Sequence, residues 1–223
     1  MAQIIGMTNQ KGGVGKTTIS INVAWELTQF SGSKVLLVDA DPQASALDWV
    51  AVRESPIPFT VIGLPKPFLH KELPKIAHNF DYILIDGPPR VTDITRSMTM
   101  VCDALVIPVQ PSPYDVWAAN DTVALIEEAR IVKPELDAFF VMNRVIKNTV
   151  ISKDVLSALQ ESTIPTSDTM LYNRVAYCVS VQEGRTVGEM AHLLPKKEIA
   201  DLTNDILTRL LTRDLIKRDL SYE

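Results

Sequence analysis

The stretch that most restricts how this chain can fold is Thr8-Asn9-Gln10-Lys11-Gly12-Gly13-Val14-Gly15-Lys16-Thr17-Thr18. It follows an apolar run, Ile4-Ile5-Gly6-Met7, that reads as a buried strand. It precedes Ile19, Val23, Ala24 and Leu27, which share one face of a helix. A glycine-rich turn between a strand and a helix N-terminus is the setting of a phosphate-binding loop. Glycines accept positive φ and carry no Cβ, so backbone N–H groups can converge on phosphate oxygens. The helix N-terminus adds partial positive charge. In that geometry Lys16 reaches the β- and γ-phosphates and the Thr17 hydroxyl ligates Mg²⁺. The usual spacing, G-x-x-x-x-G-K-[ST], has glycine where this chain has Gln10, and Lys11 is one lysine more than such a loop needs. The bland alternative is a glycine-rich turn with solvent-facing lysines. Composition, spacing and context all argue against it.

Further strands are expected at residues 34–38, 59–62, 82–85, 104–107 and 138–141, where β-branched and apolar residues run without alternation. Such runs suit strands covered on both faces of a parallel sheet. Helices are expected between them near residues 43–52, 68–78, 92–100, 115–131 and 152–160. The alternation predicts an α/β fold with a doubly wound, mostly parallel sheet, a P-loop NTPase built as one domain over residues 1–223. Proline-rich stretches at 55–67 and 108–113 read as loops.

A net charge of −5 supplies no global basic field, so any nucleic-acid contact must come from a local patch. The start carries no secretory pattern and no apolar run approaches a membrane span, so a cytoplasmic protein is expected. Cys102 and Cys178 are far apart and lack a metal-ligand spacing, which reads as two reduced thiols and no iron–sulfur cluster.

Three acids fall at strand ends. Asp39 and Asp41 lie in Val38-Asp39-Ala40-Asp41-Pro42-Gln43, and Asp86 closes Ile83-Leu84-Ile85-Asp86-Gly87. In a parallel sheet these ends gather at the edge that holds the phosphate loop. One acid there can hold Mg²⁺ and another can orient the attacking water. Each alone could equally be a turn former or helix cap. Asn143 follows the fifth of these later strands, where its amide could meet both a donor and an acceptor of adenine, or simply form a turn.

The run Lys11-Gly12-Gly13-Val14-Gly15-Lys16-Thr17-Thr18 closely resembles the deviant Walker A loop of the ParA/MinD family of ATPases, and Asp39-Ala40-Asp41-Pro42-Gln43 matches that family's D-x-D-P-Q. The likeness extends over essentially the whole chain and is strongest to the small ParA-type partition ATPases, the form without an N-terminal DNA-binding extension. It includes Val109–Asp115, similar to their strand-to-helix switch region, and Asn173–Val187, similar to their later helix and turn. The resemblance implies an ATP site formed by Lys11, Gly12, Gly13, Val14, Gly15, Lys16, Thr17, Thr18 and Asn143. In it Lys11 crosses a homodimer interface to the partner's nucleotide, Lys16 and Asp41 serve hydrolysis, and Thr17, Asp39 and Asp86 form the magnesium shell. Gly87 is expected to offer its N–H to the γ-phosphate as a switch. The resemblance further implies non-specific DNA binding by the ATP-bound dimer through Arg174 first, then Lys147, Lys153, Arg185, Lys196 and Lys197, and a stimulating adaptor protein. The cytoplasmic protein would then be nucleoid-associated in its ATP state.

The last segment, 196–218, keeps Ile199, Leu202, Ile206, Leu210 and Leu211 at helical spacing and reads as core packing. Its other face mixes Asp201, Asp205, Asp214 and Asp219 with Arg209, Arg213, Lys217 and Arg218, which suits water better than anionic lipid. No membrane partner is therefore expected. A MinD-like membrane-cycling ATPase is the first rival, and the ending Ser221-Tyr222-Glu223 argues against it. A metabolic P-loop enzyme resembling dethiobiotin synthetase is the second, and it gives Lys11 no task.

Overall fold

The computed structural model describes residues 2–30 and 32–220, with side chains described as far as residue 215. The elements run β1 (Gln3–Met7), α1 (Lys16–Thr28), β2 (Val35–Asp39), α2 (Ser45–Ala51), β3 (Thr60–Gly63), α3 (Leu69–Ile76), β4 (Tyr82–Asp86), α4 (Asp93–Val101), β5 (Ala104–Val109), α5 (Pro113–Val132), β6 (Asp137–Val145), α6 (Val150–Gln160), β7 (Thr166–Tyr172), α7 (Val175–Gln182) and α8 (Leu193–Leu220). The seven strands form one sheet in the order β3-β2-β4-β1-β5-β6-β7, and every pairing is parallel.

Side-chain alternation along each strand builds two cores. Ile4, Leu36, Val38, Ile83, Ile85, Leu105, Ile107 and Phe140 face the side covered by α3, α4, α5 and α6. Ile5, Met7, Val35, Leu37, Leu84, Val106, Phe139 and Val141 face the side covered by α1, α2 and α8. Because both faces are buried, the central strands are apolar without interruption. That is why β-branched runs located them.

β1 lies at the centre, and the chain winds to either side of it. Leaving β1, the chain moves out to β2 and β3, returns through β4, and then crosses to β5, β6 and β7. Such a reversal opens a crevice at the strands' carboxyl ends, and the glycine loop enters it directly from β1. Register brings the acids there too, with Asp39 paired to Asp86 and Asp86 to Met7.

One strand escaped the sequence reading. β7, Thr-Ser-Asp-Thr-Met-Leu-Tyr, is polar at most positions and lies at the sheet edge, with irregular register against β6. In α8, Ile199, Leu202, Ile206 and Leu210 are buried against α1 and the sheet, as their spacing indicates, whereas Leu211 is exposed. Its place on the helix turns it away from the stripe. The polar side is stitched inward as well: Arg213 pairs with Asp103 at 2.6 Å, and the Arg209 guanidinium lies 4.4 Å from the Phe139 ring centre. The side chains of Lys217, Arg218 and Asp219, and the ending 221–223, lie outside the described residues. Among the described residues no helix is long and apolar enough to cross a membrane.

Candidate nucleotide site

The loop turns tightly because Gly13 and Gly15 take φ of 77° and 98°. At Gly15 a side chain is excluded twice over. Its φ is left-handed, and a Cβ would lie 2.3 Å from Asn143 Nδ2. That amide donates to Val14 O at 2.6 Å, while Asn143 Oδ1 accepts the Arg144 N–H. Asn143 is thus a clasp on the loop, with one N–H and one lone pair left over for a base.

Lys16 opens α1 and is buried, its ammonium donating to Asn9 O at 3.3 Å and Lys11 O at 3.2 Å. Desolvation lowers its pKa, opposed by the charges of Asp86 and Asp41. The two carboxylates favour the charged form without overcoming that desolvation, and the hydrogen bonds to the ammonium are long.

Lys11 goes the other way. It pairs with Asp115, a completely buried carboxylate in the first turn of α5, whose second oxygen accepts the Gln110 N–H. The Lys11 N–H donates to Asn9 Oδ1, and Gln110 Nε2 donates to Gly13 O. Neither Asp115 nor Gln110 was singled out from the sequence as a site residue. A charged residue that close behind Pro113 in the first turn of a helix reads as an ordinary cap, and only the fold brings it to the loop.

The three strand-end acids differ. Asp39 is wrapped in backbone: Oδ2 accepts from Ala46 and Leu47, and Oδ1 from Asp41. It fixes the start of α2 and the turn carrying Asp41, which places its present contacts in scaffolding rather than toward a cation. Asp41 lines the phosphate cavity with Lys16 and Thr17. Asp86 is fully buried, and its Oδ2 has no hydrogen-bond partner among the described residues. Burial raises its pKa to about 7, a hydrogen bond from Thr17 and the charge of Lys16 pulling the other way. An orphaned buried carboxylate oxygen beside a threonine hydroxyl is a fitting donor set for Mg²⁺.

The pKa has a consequence in the nucleotide-free protein. A carboxyl held neutral in the fold stabilises it fully only below its ordinary pKa, and that contribution is lost as pH rises toward about 7. The difference in melting temperature between wild type and Asp86→Asn is therefore expected to shift in favour of the variant from about pH 4 to 7 and then level off. Thermal melts across that range check it.

Gly87 is not a free donor. Its N–H bonds to Met7 O at 3.0 Å, and a Cβ there would lie 2.6 Å from the same carbonyl. Its glycine is demanded by close approach to β1, and without nucleotide the N–H expected to meet the γ-phosphate is engaged with that strand. Gly87→Val would strain the sheet rather than probe a switch.

A family model described as an AAA domain matches residues 2–62 and 50–139. The "Maintenance of carboxysome distribution protein A" of Halothiobacillus neapolitanus is 32% identical over 212 residues, 93% of this chain and 95% of that protein. The chain belongs to the ParA-type P-loop ATPases. The sporulation initiation inhibitor protein Soj of Bacillus subtilis is 30% identical over 66% of this chain and 72% of its own. In fold, a Cyanothece McdA variant in complex with ATP superposes with a TM-score of 0.76 at 17% identity, covering 93% of this chain and 96% of that one.

Among the cations expected to meet DNA, this ParA-type ATPase leaves some exposed and engages others. Lys153 and Lys196 are exposed, and Lys147 is exposed with its ammonium 4.8 Å from the Tyr172 ring centre. Lys197 pairs with Asp201, and Arg185 with Glu183. Arg174, the first choice from sequence, is drawn onto Glu198 of α8 at 2.5 Å and lines a cavity beside the loop.

Proposed function

We propose that this ParA-type protein is an ATP-dependent positioning ATPase. It dimerises around ATP·Mg²⁺, binds DNA without sequence preference in that state, and hydrolyses slowly until an adaptor protein stimulates it. The observation that carries the reading is the division of labour between two lysines in one loop. Lys16 is buried beneath its own phosphate cradle, while Lys11 stands at the loop's outer edge, 39% exposed and held by a single acid. A lysine placed there can leave Asp115 for a phosphate presented by a second subunit, neutralising charge as an arginine finger does.

The cradle from Gly12 to Thr18 takes the phosphates, with Thr17 and Asp86 holding Mg²⁺, which screens the phosphate charge. Asp41 faces the same cavity and orients the attacking water. DNA contact falls to the exposed Lys147, Lys153 and Lys196, and phosphate contacts of that kind make binding steeply salt-dependent. The long match to a carboxysome distribution protein supports a protein body as the positioned cargo, with a plasmid or chromosome as the alternative that the Soj match keeps in play.

The test is an ATP-dependent DNA mobility shift on wild type and Lys11→Ala. The variant is expected to bind ATP within a few-fold of wild type yet lose DNA binding and dimerisation. Wild-type behaviour in the variant would remove the role in trans. ATP turnover insensitive to DNA and to any adaptor would favour a metabolic P-loop enzyme instead.

A further inference from the structure

Beyond Gly15 the phosphate cavity continues into a second one of about 330 Å³. The two share Gly15, Thr18, Arg144 and Val181, so a molecule whose phosphates sit on the loop extends its other end into the second space. That space is walled by Asn143, Leu171, Tyr172, Arg174 and Tyr177. These residues come from the ends of β6 and β7 and the start of α7. Backbone pairing joins β6 to β7. One carboxylate from a helix distant in sequence ties the end of β7 to Arg174 and the start of α7.

Glu198 lies in the second turn of α8 and is 8% exposed. Its Oε1 accepts from Arg174 Nε at 2.7 Å and pairs with the second guanidinium nitrogen at 2.5 Å. Its Oε2 accepts from the Tyr172 N–H at 3.3 Å and the Tyr177 hydroxyl at 3.2 Å. The guanidinium is held 5.5 Å from the Tyr172 ring centre. One buried acid thus fixes a cation, an aromatic ring and a phenol on a single wall. A buried carboxylate satisfied on both oxygens by charged and neutral donors is rigid, and removing one partner leaves the others without support.

We infer that Glu198 is the positioning residue for the nucleoside end of the ATP site, acting through Arg174, Tyr172 and Tyr177. This rests on the reading of the loop as an ATP site. It also moves Arg174 from the DNA-facing surface to the nucleotide pocket. The C-terminal helix α8 thereby becomes part of the nucleotide site, although it contributes nothing to the phosphate cradle.

Inorganic triphosphate separates this role from general weakening of the fold, because it occupies the loop without reaching the second cavity. In Glu198→Gln, which keeps an acceptor for Tyr177 but loses the charge that fixes Arg174, ATP affinity is expected to fall about tenfold. Triphosphate affinity is expected to stay at the wild-type value, and KM for ATP to rise with kcat nearly unchanged. Arg174→Ala should behave the same way, and serves if the Glu198 variant fails to fold. Equal losses for ATP and triphosphate, or no loss for either, would overturn the inference while leaving the ATP site standing. So would reduced DNA binding by Arg174→Ala at saturating ATP with ATP affinity intact. Failure of wild type to bind ATP or triphosphate would instead sink the underlying site assignment.

Discussion

Replacing Lys16 with alanine is expected to weaken ATP binding by at least about two orders of magnitude and to abolish hydrolysis, with little loss of thermal stability. The two halves of that expectation have different causes. Lys16 is the cation buried beneath the loop, and desolvation lowers its pKa, so keeping it charged in the apo fold already costs free energy. Its contacts to Asn9 O and Lys11 O, at 3.3 and 3.2 Å, are long and offset little of that cost. Truncation removes this cost together with those weak bonds, which is why the melting temperature should move little. Phosphates reverse the balance, because they supply the charge that a buried ammonium lacks. Without Lys16 a triphosphate would meet Asp41 in the cavity lining with no cation beneath the loop to offset the buried Asp86, and the backbone dipoles would have to hold far more of its charge. Calorimetric titration with ATP, beside a thermal melt of the same preparation, separates the two effects. A variant that bound ATP normally would mean that Lys16 is not the phosphate lysine.

The loop was legible because its chemistry is local. Gly13, Gly15, Lys16 and Thr17 act through backbone φ, side-chain length and the dipole of the helix they begin, all of which sequence spacing encodes. The buried strands were legible for a related reason: a strand covered on both faces must be apolar throughout, and the two helical layers ensure that. β7 was not, because an edge strand can carry Ser167, Asp168 and Thr169 without burying them all. Nor were the long-range polar assignments. Whether Asp39 faces a cation or the start of α2 depends on where the chain turns after Asp41. Lys11 with Asp115, and Arg174 with Glu198, join residues brought together only by the winding of the sheet. A charge count along the chain cannot show that Arg174 is already neutralised.

The same distinction gives the second large effect. Asp39 and Asp41 are neighbours in sequence, yet their loss should be felt by different measurements. Asp41 uses one carboxylate oxygen to accept the Gln43 N–H at 2.9 Å and lines the phosphate cavity with Lys16 and Thr17. Its other oxygen is available to a water set against the γ-phosphate. Because hydrolysis needs that water oriented and binding does not, Asp41→Ala should keep ATP affinity while kcat falls about a hundredfold. The protein would then accumulate in its ATP-bound state, and DNA retention should outlast that of wild type after free ATP is removed. Asp39→Ala is the control. It strips acceptors from the Ala46, Leu47 and Asp41 N–H groups, so it should lower the melting temperature and loosen α2. Single-turnover hydrolysis measured together with DNA dissociation tests the pair. If Asp41→Ala turned ATP over at the wild-type rate, the water-orienting role would pass to another group on this cavity.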